Sequence, residues 1–241
     1  MRNIGEAMQQ PITPYTQPII YNTADLAAAG RVKVLTYAKA GMGKTHLIST
    51  VNKPFVLSAE SGLLTLRKIS VPYTILKNRA DVLNIFHWLK NDPGARQNIG
   101  TVCLDSLTEI ADMILAEIKA TCKDGRQQYG MLADQMNGII RDFRDLDYDV
   151  YMTAQQEYDK DEFSGMMINR AKMPGKQLGA SLPYFFDEVF QLIEATTPQG
   201  QSYKALKTKP DAANDAKDRS GCLDPLEEPH LGKIFAKIKS T

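Results

Sequence analysis

The chain reads as an α/β protein with a mainly parallel central sheet flanked by helices and antiparallel strands near its C-terminal end. Three observations carry this. Short apolar, β-rich runs alternate with segments of helical periodicity. The run Ile99–Leu104 (IGTVCL) is continuously apolar, as a strand covered on both faces must be. Two β-rich runs near the C-terminus are joined by a Pro198–Gly200 turn, which makes them antiparallel.

Taken in order, Met1 to about Gly30 is polar and holds Pro11, Pro14 and Pro18, so it reads as an extended arm with a short helix at Thr23–Ala29. Val32–Tyr37 (VKVLTY) is a strand. Gly43–Val51 reads as a helix with Leu47, Ile48 and Val51 on one face. Pro54–Ser58 and Pro72–Leu76 read as strands, and Asp81–Leu89 as a helix stopped by Pro93-Gly94. After Ile99–Leu104 come two stripes, Leu107 to Ile118 and Leu132 to Phe143, at helical spacing. Asp149–Ala154 (DVYMTA) is a further strand. Gln156 to about Pro183 lacks periodicity and reads as a long loop. Tyr184–Ile193 and Tyr203–Lys209 are the antiparallel pair, Asp211–Pro229 a polar connector and Leu231–Ile238 a terminal helix.

Composition narrows the function classes. With 29 Lys plus Arg against 28 Asp plus Glu, the net charge of +1 excludes a nucleic-acid coat or polybasic membrane anchor as a whole-chain property. The three cysteines, Cys103, Cys122 and Cys222, are scattered and form no C-x-x-C pair, which suggests neither a disulfide framework nor a zinc site. No apolar run approaches the ~20 residues needed to cross a bilayer, and the first residues lack the core of a signal peptide. The expectation is a soluble, cytoplasmic protein with no membrane partner.

The strongest local signal is Ala38-Lys39-Ala40-Gly41-Met42-Gly43-Lys44-Thr45, followed by His46. It follows a strand and opens a helix, the context a phosphate-binding loop needs. Glycines let backbone N–H groups turn around an anion, and the helix start adds a positive dipole end. Lys44 supplies a charge for the β- and γ-phosphates, and the Thr45 hydroxyl can ligate Mg²⁺. The usual first glycine of the motif is here Ala38. Asp105 ends a buried strand, where a second Mg²⁺ contact belongs, held through water; Asp105 or Ser106 also suits a helix N-cap. Glu60, just past the second strand, is the candidate that orients water, and a helix-start role is the alternative. Gln155 and Gln156 end DVYMTA, where a neutral amide can bind the γ-phosphate and report it to the loop that follows.

Together these residues resemble the RecA/DnaB-type P-loop ATPases. The match runs through Ala38–Thr45, Ala59-Glu60, Leu104-Asp105-Ser106 and Gln155 to Lys217-Asp218-Arg219-Ser220-Gly221, which looks like the Lys-x-Arg-x-Gly element that such proteins insert into a neighbour's nucleotide site. The resemblance implies a RecA-like ATPase domain over residues 31–241 behind an arm over 1–30, ATP and Mg²⁺ as ligands, and catalytic roles for Lys44, Glu60, Gln155, Lys217 and Arg219. Pro174-Gly175-Lys176 and Phe186–Val189, with Lys217-Asp218-Arg219, are similar to phage-encoded RecA-like ATPases of single-strand annealing and recombination. That likeness implies a homo-oligomer, ring or filament, acting on single-stranded DNA in a host cytoplasm. Candidate DNA surfaces are Lys123–Tyr129 and Glu157–Pro183, with Arg170, Lys172 and Lys176 as cations and Tyr129, Tyr158 and Phe163 for stacking. Two other readings stay open: a nucleotide-switched module that grips DNA or protein with negligible turnover, and a small-molecule kinase, which would need several lid arginines where the long loop offers only Arg170.

Overall fold

A computed structural model describes residues 30–60, 62–160 and 165–241. The arm expected over 1–30, Gly30 aside, and its helix at Thr23–Ala29 lie outside the described residues, as do Asp161, Glu162 and Phe163. The strands are β1 (Lys33–Ala38), β2 (Pro54–Ser58), β3 (Tyr73–Ile75), β4 (Thr101–Asp105), β5 (Asp149–Lys160), β6 (Met167–Ala171), β7 (Glu188–Thr196), β8 (Ser202–Lys207), β9 (Lys217–Asp218) and β10 (Leu226–Glu227). The α-helices are α1 (Arg79–Asn91), α2 (Pro93–Asn98), α3 (Leu107–Thr121), α4 (Gly125–Arg144), α5 (Lys176–Ser181) and α6 (Leu231–Lys239).

The sheet runs β10-β8-β7-β1-β5-β4-β2-β3, with β6 added to β5 and β9 to β7. From β7 to β3 every neighbouring pair is parallel; β8, β10, β6 and β9 pair antiparallel. This is the expected layout, a mainly parallel sheet with antiparallel C-terminal strands. Strand alternation sends side chains to two cores. Leu35, Tyr37, Val102, Leu104, Val150 and Met152 face the layer of α1, α3 and α4. Val34, Ala38, Cys103 and Tyr151 face the opposite side, with Leu47, Ile48 and the apolar face of α6. Burial on both faces is why β1, β4 and the start of β5 read as apolar runs. The helices start where the sequence supplies caps: Asn78, Asp92, Ser106 and Asp124 each accept from a backbone N–H of the first turn.

Four expectations need correction. The helix expected at Gly43–Val51 is a 3-10 helix over Thr45–Thr50, tightened where it packs beneath the sheet. The described part of Gln156–Pro183 is no irregular loop: β5 continues to Lys160 and pairs with β6 in the register Gln156↔Ala171, followed by α5 and a 3-10 turn at Leu182–Phe185. That turn occupies Tyr184 and Phe185, so β7 begins only at Glu188; Pro183 sits in its first turn. Finally, the expected loop Lys123–Tyr129 is mostly the first turn of α4, opened by the Asp124 cap.

Candidate nucleotide site

Parallel strands deliver their C-terminal ends to one edge of a sheet, and a ligand crevice belongs there. In this chain β1 ends at Ala38, β2 at Ser58 and β4 at Asp105, while β5 passes Gln155 at the same level, since Ala38 pairs with Gln155 and Ser58 with Asp105. Together they border a cavity of about 450 Å³, lined by Ala38–Gly41, Gly43–Thr45, Glu60, Gly62, Thr65, Asp105, Gln155 and Gln156. Glu60, Asp105 and Gln155, far apart in sequence, meet the loop here because parallel strands end at one edge.

The phosphate-loop expectation holds in its backbone. Gly41 has φ +77° and Gly43 φ +109°, conformations open to glycine and strained for side-chain-bearing residues. Ala38 explains its departure from the motif: it is the last residue of β1 and fully buried, and Lys53 is the one non-glycine with positive φ among the described residues. A strand position has no need of glycine. Lys44 Nζ donates to the carbonyls of Ala38 (3.0 Å) and Lys39 (3.4 Å), so the ammonium lies curled over the loop. Burial pushes its pKa below the usual lysine range, while Asp105 and Glu60 pull it back up.

Asp105 is 5% exposed and holds two hydroxyls. Thr45 Oγ1 donates to Oδ2 at 2.7 Å, and Thr153 Oγ1 donates to Oδ1. The strand-end carboxylate and the loop threonine, 60 residues apart, are thus in contact. A hydroxyl and a carboxylate side by side are hard oxygen donors of the kind Mg²⁺ selects, with room left for water and phosphate oxygens. Glu60 faces the same cavity, and its Oε1 accepts from Ser106 Oγ at 2.7 Å. Ser106 also accepts from the Glu109 N–H, so one side chain both caps α3 and fixes Glu60.

Gln155 sits at the cavity's far wall. Its Nε2 donates to Glu109 Oε1 at 2.7 Å, and its backbone N–H donates to Thr108 Oγ1. Burial, with the nearby charges of Glu60 and Asp112, raises the Glu109 pKa; Gln155 and Lys172 act the other way. Gln156, one residue on, donates to Asn169 on β6, which ties the cavity wall to the hairpin. His46 lies just outside the set that lines the cavity.

A family model described as an AAA domain (AAA_24) matches residues 31–220, most of the chain. The chain belongs to this family. It is a P-loop ATPase domain of the AAA kind. A search of curated proteins finds no match. Among solved structures, a KaiC-like protein from the hyperthermophilic archaeon Pyrococcus horikoshii OT3 is similar at 12% identity and a TM-score of 0.42, over 73% of this chain and 77% of that one.

Within this AAA domain the remaining candidates lie elsewhere. Lys217 and Arg219 belong to the β9 segment, which pairs with β7 at Glu188 and Val189, the end of the sheet opposite the phosphate loop. Lys217 Nζ donates to the carbonyls of Pro183 and Phe186, and Arg219 pairs with Asp187 at 2.9 Å while keeping 58% of its side chain exposed. Neither reaches the cavity of its own chain. Arg170 is not a free cation: it is 5% exposed and forms ion pairs with Glu157 (3.0 Å) and Asp159. Lys172 is exposed beside Gln155, and Tyr129 and Tyr158 are exposed. Sequence reasoning missed Glu109, Thr153 and Lys204, whose Nζ donates to the Met42 carbonyl at 2.7 Å. Thr153 lay within a noted strand; nothing in the sequence marks the other two.

No helix among the described residues is long and apolar enough to cross a membrane.

Proposed function

We propose that this AAA domain binds ATP with Mg²⁺ in the cavity at the ends of β1, β2 and β4 and hydrolyses it there. The observation that carries the reading is the 2.7 Å contact between Thr45 and Asp105, which joins the phosphate loop to a buried carboxylate. The loop amides from Gly41 to Thr45 bind the phosphates, and Lys44 leaves the Ala38 and Lys39 carbonyls to offset their charge. Thr45 and Asp105 would hold Mg²⁺, which when bound neutralises phosphate charge and polarises the terminal phosphoryl group. Glu60 orients the attacking water and accepts its proton, while Ser106 keeps the carboxylate aimed. The water oxygen bonds to the γ-phosphorus as the bond to the bridging oxygen breaks, giving ADP and phosphate. Gln155 senses the γ-phosphate through its amide.

The finer reading is a homo-oligomer that acts on single-stranded DNA in recombination or annealing. Its support is the resemblance set out above and the position of Lys217 and Arg219 at the sheet end remote from their own cavity, where a neighbouring copy can receive them. In that reading residues 31–241 form the ATPase domain. The test is ATP turnover measured with and without single-stranded DNA, with particle mass determined in parallel. Turnover that depends on Glu60, is stimulated by single-stranded DNA and comes from a multimer supports the full reading. Turnover from a monomer indifferent to DNA removes the recombination role and leaves the ATPase. Binding without turnover, unaffected by Glu60→Gln, favours a nucleotide-switched module.

A further inference from the structure

Lys204 stands on β8, whose antiparallel partner β7 lies beside the phosphate-loop strand β1. It is exposed, and its cross-strand neighbour is Glu194, yet it makes no ion pair among the described residues. Its ammonium instead reaches the phosphate loop and donates to the Met42 carbonyl at 2.7 Å. The ammonium also comes within 3.6 Å of where a Cβ on Gly43 would stand. A cation has thus been brought to the loop from 162 residues away, by an element with no other role in the cavity.

The consequence follows from peptide geometry. The Met42–Gly43 peptide is trans, so its C=O and N–H point to opposite sides of the chain. Gly43 lines the cavity and Met42 does not. An ammonium that fixes the carbonyl on the outer side therefore fixes the Gly43 N–H toward the inner side, and a charge-assisted bond to the oxygen polarises that N–H as a donor. Gly43, with φ +109° and no side chain to restrain it, has much rotational freedom to lose. We infer that Lys204 is a positioning residue of the nucleotide site, which holds the Met42–Gly43 peptide from outside so that the Gly43 N–H is oriented toward phosphate before nucleotide arrives. This rests on the reading of the cavity as an ATP site, and deepens it by making the β7–β8 hairpin part of the phosphate clamp.

Loop amides of this kind cradle the phosphates nearer the nucleoside, which ATP and ADP share. Loss of Lys204 should then weaken both equally and leave the chemical step alone, a uniform binding effect. The experiment compares wild type, Lys204→Met, Lys204→Arg and Lys44→Ala for equilibrium binding of ATP and of ADP, kcat, and melting temperature without nucleotide. Lys204→Met should weaken both nucleotides about tenfold, as expected for one charge-assisted hydrogen bond, with kcat within about twofold and an unchanged melting temperature. Lys204→Arg should recover most of the affinity. Wild-type affinity in Lys204→Met, a fall confined to kcat, or a lowered melting temperature shared by Lys204→Arg would each overturn the inference. Lys44→Ala separates the two claims: if it too binds normally, the ATP site itself is wrongly placed, whereas loss of binding there with normal binding in Lys204→Met sinks the positioning role alone.

Discussion

The side-chain amide of Gln155 donates to Glu109 at 2.7 Å, across 46 residues of sequence, so the amide at the end of the cavity is held by a carboxylate on α3. A group engaged in this way can exchange its partner for a phosphate oxygen at small net cost, one hydrogen bond for another. Gln155→Ala is expected to lower the preference for ATP over ADP about tenfold while ADP affinity stays as in wild type, because only the γ-phosphate differs between the two. Competition binding with both nucleotides checks this. An unchanged ATP-to-ADP ratio would remove Gln155 from the sensing role.

Glu188 gives a pH prediction. It opens β7, is 1% exposed, and its pKa is raised to about 7, by burial first and with Asp218 beside it adding to the rise; the Ser220 N–H bond opposes both. A carboxyl with a raised folded-state pKa binds its proton more tightly in the folded chain. Its contribution to stability is therefore complete below its ordinary value of 4.5 and is lost as pH climbs through about 7. Glu188→Gln, neutral at every pH, should melt higher than wild type at pH 8 and at the same temperature near pH 4.5. Melting curves across that range test it; a difference independent of pH would contradict the assignment.

Lys217 and Arg219 are held in cis by the Pro183 and Phe186 carbonyls and by Asp187. If they act on a neighbour's phosphates, two dead proteins should repair one another. Mixing Lys44→Ala chains with Lys217→Ala/Arg219→Ala chains is expected to restore part of the turnover, through the sites where an intact loop meets an intact cation pair. Activity that stays at background at every mixing ratio would confine these residues to their structural contacts.

Glu60→Gln keeps the Ser106 hydrogen bond, since an amide oxygen can still accept, but removes the base. Turnover should drop by about two to four orders of magnitude with ATP affinity preserved. Single-turnover hydrolysis beside equilibrium binding distinguishes this from a binding defect. Equal turnover in both proteins would assign the water to another group.

The sequence showed most clearly what is local. Gly41, Gly43, Lys44 and Thr45 announce themselves because a phosphate loop is a run of adjacent residues whose backbone needs glycine, and Asp105 because a charge ending an apolar run is conspicuous. The hairpin of β5 and β6 was hidden because it projects past the core: Gln156 to Lys160 are polar on both faces, so no alternation marks them. The 3-10 helix at Thr45–Thr50 escaped because its apolar spacing over six residues suits either helix type. Glu109 and Lys204 act through partners 46 and 162 residues away, and a lone Glu on a helix or Lys on a strand looks like any solvated charge until the sheet brings its partner alongside.

The account turns on a triphosphate held between the loop and Asp105. A crystal structure with a non-hydrolysable ATP analogue and Mg²⁺ tests it most directly. It should show the phosphates along the amides of Gly41 to Thr45, Lys44 Nζ moved from the Ala38 carbonyl onto phosphate oxygen, and the metal about 2.0–2.1 Å from Thr45 Oγ1 with Asp105 next to it. Phosphates bound elsewhere, or a metal that ignores both Thr45 and Asp105, would contradict it.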